Sequence, residues 1–343
     1  MTSTARSTIL LLLLSACGSS AHPPGSPEPD AADEPEEPPA ADAGGKPTPA
    51  RDAAVPVTAD SAPGADSAST PTAEVAPPPP SSDAAPPSTE EPPTIPGCTL
   101  RWSPSAMRDG DKAFEAAEMP DIQFPGGSAG THQGVKHLTA VAEHDAYRID
   151  SHYMPPGAVD YDRVTQTGPM RDDRLRCETR GMVDSAGKQV DMLNGQTWRF
   201  TWSFYLPASL KGTSRFTHIM QMKYLDKGGG ASGSPIVTLT LRPNDRIELL
   251  LWLGGGSVSV IDASGLHDKW LTADLTLKIA AAGSVHWTFK DGEKVLVDKQ
   301  QNGTIWPSDG ARLRPKWGIY RGIADGVQST YILLSDLKAY QCQ

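Results

Sequence analysis

Three short stretches of the chain carry side chains that could act on an anion. The first is Arg174-Leu175-Arg176-Cys177-Glu178-Thr179-Arg180. Read as a β-strand, with side chains alternating between faces, it puts Arg174, Arg176, Glu178 and Arg180 on one side. Three guanidiniums and a carboxylate on one face are an unusual load for a purely structural strand. Glu178 can orient its neighbours by bidentate pairing while the arginines face an anion. A solvated face laced with salt bridges would use the same residues. The second stretch is His218-Ile219-Met220-Gln221-Met222-Lys223. Here Gln221 and Lys223 share a face with Ile219, and a regular strand turns His218 to the other side. The third is Lys316-Trp317-Gly318-Ile319-Tyr320-Arg321, in which Lys316, Gly318 and Tyr320 share a face. Gly318 would leave room for a ligand against the backbone.

The elements that must position these groups read as strands. Thr197 to Leu206 is rich in aromatic and β-branched residues and is ended by Pro207. Pro235–Leu241, Arg246–Leu253, Leu275–Ala280, Ser284–Lys290, Lys294–Lys299, Trp317–Tyr320 and Tyr331–Tyr340 follow as further strands. Asp291-Gly292 is a hairpin signal. Ala113 to Met119 reads as one short helix, and no long segment has a 3.6-residue period. Many short strands with regular turn signals argue for an all-β sandwich or jelly roll. Gly228-Gly229-Gly230 and Gly254-Gly255-Gly256 precede no helix, so they read as loops at the rim of a groove and not as phosphate loops.

Composition confines the fold to the C-terminal part. The chain has 343 residues and 32 prolines, and 21 of those prolines fall between Gly18 and Pro96. That stretch has almost no large apolar side chains, so it cannot bury enough surface to offset the entropy of ordering it. The same stretch holds 14 Asp and Glu against Lys46 and Arg51, whereas the whole chain carries −10. The remainder, residues 97–343, is therefore close to neutral, which gives no support for nucleic acid as a partner. At the start, Arg6 precedes the apolar run Ile9 to Leu14. This run falls short of the about 20 residues that span a bilayer and reads as an export signal. Export implies an oxidising compartment. Cys98 opens the folded part and Cys342 closes it, so these two are expected to pair, and Cys177 is expected to be a small buried residue. No spacing resembles a zinc site.

Two resemblances follow. The three stretches, in this order, resemble the signature strands of jelly-roll polysaccharide lyases of the alginate, glucuronan and heparin I type. Those carry Arg-x-Glu-x-Arg, Gln-x-His and Lys-x-Gly-x-Tyr; here they read Arg176-x-Glu178-x-Arg180, Gln221-x-Lys223 and Lys316-x-Gly318-x-Tyr320. The resemblance spans roughly Cys177 to Cys342 and is thin between Cys98 and Asp172. It implies a concanavalin A-like jelly roll of two antiparallel sheets, with a groove for an acidic polysaccharide. It also implies β-elimination at a uronic acid. Gln221 and Arg176 or Arg180 would neutralise the carboxylate, and Lys223, in place of the family histidine, would pair with Tyr320 as base and acid. Arg174, Glu178, Arg180, His218, Lys316 and Arg321 would bind substrate. If Lys223 only binds the sugar, the same surface is a non-catalytic glycan-binding module. Second, Leu14-Ser15-Ala16-Cys17 resembles a bacterial lipobox, an ordinary signal peptide cut near Ala21 being the alternative. It implies lipidation of Cys17 and a signal over residues 1–17; residues 18–96, by their proline-rich composition, are expected to be a disordered stalk, and the protein is expected to be a monomer. Gly18 after the cysteine implies the outer membrane, periplasmic or cell-surface.

The other candidates are weaker. His132, His137, His144 and His152 lack metal spacing. Asp160, Asp162, Asp172 and Asp173 suit a structural Ca²⁺ or simple turn-capping equally, and no other cofactor is expected. Trp252, Trp270, Trp287, Trp306 and Trp317 could stack on sugars or fill the core. A glycosidase would need two facing carboxylates, for which Glu178 and Glu248 are the strand candidates.

Overall fold

The computed structural model describes residues 95–119, 136–153, 174–228 and 234–343. The N-terminal apolar run, Cys17, the proline-rich stretch up to Thr94, His132 and the aspartates Asp160, Asp162, Asp172 and Asp173 lie outside the described residues.

In chain order the strands are β1 (Cys98–Trp102), β2 (Ala116–Glu118), β3 (Leu138–Val141), β4 (Ala146–Ser151), β5 (Arg174–Arg180), β6 (Thr197–Leu206), β7 (Thr217–Asp226), β8 (Val237–Arg242) and β9 (Arg246–Leu251). They continue with β10 (Gly256–Asp262), β11 (Lys269–Lys278), β12 (Gly283–Asp291), β13 (Lys294–Gly303), β14 (Gly310–Gly322) and β15 (Thr330–Cys342). Two antiparallel sheets form a jelly roll. One runs β13-β12-β11-β6-β15-β4-β3 with β1 paired to β15, and the other runs β10-β9-β8-β7-β14-β5-β2.

Between the sheets lies a core rich in large rings. Strand β6 turns Trp198, Phe200, Trp202 and Phe204 inward by simple alternation, and all four are buried. From the opposite sheet Trp317 stacks on Trp102 at 5.3 Å and meets Phe200 edge-on at 6.2 Å. Each such ring contributes roughly 1.5–3 kcal/mol by leaving water. Trp287 and Trp317 are therefore core residues. Cys177, Leu175 and Ile319 are fully buried, Cys177 and Ile319 in this same cluster, so the other face of β5 and β14 turns outward.

The expected strand Thr197 to Leu206 is β6 itself, and Asp291-Gly292 turns β12 into β13. Cys98 and Cys342 face each other in register between β1 and β15 and are disulfide-bonded. The helix expected over Ala113–Met119 does not form. Ala113 closes a 3-10 turn, and Ala116–Glu118 instead pairs with the edge of β5. Backbone bonds to a ready strand edge override the local alanine preference. Among the described residues the one α-turn, α1 (Ala106–Asp109), is capped by Ser105, whose hydroxyl accepts from the Arg108 amide at 3.1 Å.

Candidate functional site

Strand β14 lies between β7 and β5, so the three chemistry-bearing stretches are adjacent. Their faces turned away from the core adjoin, and on them Tyr320, His218, Gln221 and Glu178 are buried. Arg174 Nη1 donates to the Tyr320 hydroxyl at 2.9 Å, and the Arg176 guanidinium lies 4.1 Å above the Tyr320 ring. Gln221 Nε2 donates to Glu178 Oε1 at 2.7 Å. Arg174, Arg176, Glu178 and Arg180 thus share the face that strand alternation predicts for them.

The register departs from regular pleating at β7, and this moves His218. On β8, Thr240 and Thr238 oppose His218 and Gln221 respectively; on β14, Tyr320 and Lys316 do. The same step along the sheet is therefore covered by two residues on β8, three on β7 and four on β14. Bulges of this kind re-aim side chains. Ile219 and Met220 both pack into the core, and His218 comes round to the outward face with Gln221. The expectations that His218 points away and that Ile219 sits beside Gln221 are both corrected by this one extra residue. His218 lies 6.0 Å from the Tyr320 ring and 5.0 Å from Phe216, ring centre to ring centre. Burial pushes its pKa well below the usual histidine value, and Arg242, Lys223 and Arg176 push the same way. The imidazole is therefore neutral at neutral pH.

Lys223 stands elsewhere. It pairs with Arg314, six residues along β14 from Tyr320. On β7 it is five residues from His218, and its charge still acts on that imidazole, helping to lower its pKa. An acid and a base serving neighbouring atoms of one sugar ring must both be within hydrogen-bond reach of that ring. In register, His218 stands opposite Tyr320 and Lys223 stands opposite Arg314. Arg321 is also displaced from its expected role. Alternation turns it with Ile319, and its Nη2 donates to Ser151 Oγ at 3.2 Å and to the Gln328 carbonyl at 2.8 Å. It ties β14 to the other sheet.

The anion that Arg176, Arg180 and Lys316 meet within the described residues is internal. Glu118 of β2 lies 3.4 Å from Arg176, 3.1 Å from Arg180 and 2.6 Å from Lys316. Glu118 opposes Glu178 in register, and both are buried. The three cations hold the Glu118 carboxyl far below the usual carboxylate range despite its burial. Glu178 goes the other way: burial pushes it up, and the Glu118 charge adds to the push. Sequence reasoning missed Glu118. Its local sequence Ala-Ala-Glu carries no signal, because its partners come from strands far along the chain.

Gly318 has a different role from the expected space for a ligand. It adopts a φ of +137°, and a Cβ there would sit 2.2 Å from the Cys177 carbonyl oxygen. Gly318 also opposes Glu178, so its missing side chain lets Gln221 reach Glu178 across β14. Gly318→Ala is expected to cost about 1–3 kcal/mol, from overpacking and backbone strain, measured as a lower denaturant midpoint. An unchanged midpoint would show that the strands can part there freely.

Glu178 and Glu248 do not make a hydrolytic pair. They lie on β5 and β9, four strand spacings apart, or about 19 Å, against roughly 5–9.5 Å for glycosidase carboxylates. Glu248 accepts from Arg242 Nε at 2.6 Å. His137 and His152 bond to each other at 3.2 Å, and His144 meets Trp270 edge-on. Among the described residues no group of three or more metal-ligating side chains is present.

No family model matches the sequence, and no curated protein matches it. Solved structures do resemble the fold. Alginate lyase A1-II', a member of polysaccharide lyase family 7, is 12% identical with a TM-score of 0.48, covering 70% of this chain and 100% of that one. An endo-β-1,4-glucuronan lyase from Trichoderma reesei is 13% identical with a TM-score of 0.39, over 66% and 94%. An endo-1,3-β-glucanase from Streptomyces sioyaensis is 10% identical with a TM-score of 0.43, over 75% and 100%.

Proposed function

We propose that the chain is a polysaccharide lyase that cleaves a uronic-acid-containing polysaccharide by β-elimination. The observation that carries this reading is the meeting of Tyr320, His218, Arg174, Arg176 and Gln221 on the outward face of three adjacent strands. The C5 proton of a uronate is weakly acidic, so the site must offset the carboxylate charge and the charge that develops on proton removal. Arg176 supplies a guanidinium. Gln221 supplies its second amide hydrogen, since only one is needed for Glu178. In this reading His218, in the place first considered for Lys223, takes the C5 proton. The C5–H electron pair becomes the C4=C5 double bond, the C4–O4 bond breaks, and O4 takes the proton of the Tyr320 hydroxyl. Arg174 and Arg176 then offset the negative charge left on the phenol oxygen. Lys223 and Lys316 contribute positive charge to sugar binding. We further propose that lipid on Cys17 tethers the enzyme to the outer membrane through the stalk.

A second reading, a non-catalytic glycan-binding lipoprotein, is favoured by one observation: Glu118 already neutralises much of the charge of Arg176, Arg180 and Lys316. One assay separates the two. The purified protein is incubated with alginate, glucuronan, heparin and ulvan, and the ultraviolet absorbance of a new C4=C5 double bond is followed. Growth of that absorbance with one polymer is the expected result. Binding without absorbance would replace the lyase by the binding module.

A further inference from the structure

His218 ends a chain of hydrogen bonds that runs away from Tyr320. Its Nδ1 lies 2.8 Å from Thr240 Oγ1 in a buried contact. Thr240 Oγ1 in turn donates to Thr238 Oγ1 at 3.0 Å, and the Trp252 indole N–H donates to that same Thr238 oxygen at 3.1 Å. Proton counting then decides the tautomer. Thr238 Oγ1 has two lone pairs, and its geometry makes it the acceptor of both the Trp252 indole hydrogen and the Thr240 hydroxyl hydrogen. A hydroxyl has one hydrogen, and that of Thr240 is committed to Thr238. Toward His218 the Thr240 oxygen can therefore only accept, so Nδ1 carries the hydrogen. In a neutral imidazole the other nitrogen, Nε2, is then the acceptor.

Strand geometry builds this chain. Thr238 and Thr240 are two apart on β8 and share its outward face, and the β7 bulge brings His218 into register with Thr240. Both threonines are fully buried, so water does not compete for their hydroxyls. The Phe216 ring, at 23° to the imidazole, packs against its face and restricts its rotation.

We infer that Thr240, backed by Thr238 and Trp252, is a positioning residue that holds His218 in the Nδ1–H tautomer and leaves Nε2 as the proton-accepting atom. The catalytic consequence rests on the lyase reading; the tautomer does not. With the other tautomer, Nε2 would carry a hydrogen and could not take the C5 proton.

The test is a long-range proton–nitrogen NMR spectrum of the full chain, labelled with ¹⁵N-histidine, at neutral pH. The chain has 8 histidines, and the His218 signals are those lost in His218→Asn. In the unsubstituted protein Nδ1 is expected at the shift of a protonated nitrogen and Nε2 at that of an unprotonated one. Thr240→Val keeps the shape but removes the acceptor. It is expected to move His218 to a tautomer mixture and to lower kcat about 10- to 100-fold, part of the ~10²–10⁴-fold supplied by a general base. KM should stay within about threefold, and Thr240→Ser should restore both the spectrum and kcat. A hydrogen on Nε2 in the unsubstituted protein overturns the inference, and needs no variant that folds. So does a Thr240→Val protein with an unchanged tautomer, or with a changed tautomer and full kcat. If the unsubstituted protein turns over no polymer, the lyase reading fails, and the spectrum still decides the tautomer.

Discussion

Tyr320→Phe is expected to lower turnover of the cleaved polysaccharide by about 10²–10⁴-fold and to leave binding within a few-fold. The phenol hydroxyl, on the residue that opposes His218 on β14, can hand a proton to a leaving oxygen, and Phe keeps the ring under the Arg176 guanidinium. His218→Asn should produce a comparable loss, because the amide keeps polarity but cannot accept the C5 proton. Lys223→Met should act differently, raising KM with kcat preserved, because in register Lys223 opposes Arg314 and not Tyr320. The pH profile adds a separate check. Burial and three nearby cations push the His218 pKa well below the ordinary value, so the base is already unprotonated through mildly acidic pH. The acid limb of kcat/KM should therefore fall below the about 6.5 of an unperturbed histidine. An acid limb above that value, or loss of binding together with turnover in Tyr320→Phe, would contradict these roles. A kcat collapse in Lys223→Met would return the base to Lys223.

How far the sequence reveals this site can be judged residue by residue. Period-two alternation placed Arg174, Arg176, Glu178 and Arg180 on one face because β5 pairs with β14 without a break in register. The same rule failed on β7, where one added residue leaves Ile219 and Met220 both inward. Nothing local marks that bulge: neither Gly nor Pro interrupts the run, and two apolar residues in sequence fit either face. The aromatic alternation of β6 and the Asp291-Gly292 turn are local signals, and the fold class followed from them. Glu118 was invisible for the opposite reason. Its meaning lies in Arg176, Arg180 and Lys316, which are brought to it only by pairing between strands distant in sequence. The missing side chain of Gly318 is legible in the sequence, but whether that space serves a ligand or a neighbouring strand depends on the packing of Cys177 and Glu178 against it.

Glu118→Gln tests whether that internal anion holds the site together, and the expected loss is about 3–5 kcal/mol at neutral pH, read from denaturant midpoints. The size follows from what remains. Among the described residues, Arg176, Arg180 and Lys316 would face a neutral amide in a buried setting beside Glu178, which lies 3.6 Å from Arg176 and 3.9 Å from Lys316. An exposed pair sets the scale: Asp298→Asn, which removes the partner of His286, should cost about 0–1 kcal/mol. The dependence on pH has a definite sign. The Glu118 pKa is depressed in the folded protein, so its stabilisation is fully present above the unfolded value of about 4.3. It is lost as pH falls below that value toward the folded one. The gap between the parent and Glu118→Gln should thus be constant near neutrality and shrink only in acid. Glu178 works the other way: its pKa is raised, so its contribution is present at low pH and lost as pH rises through its folded value. Removing the Glu118 charge relieves part of that rise and narrows the second window. A Glu118→Gln protein as stable as the parent at neutral pH would mean that the three cations find other counter-charges, and that β2 is held to β5 by its backbone bonds alone.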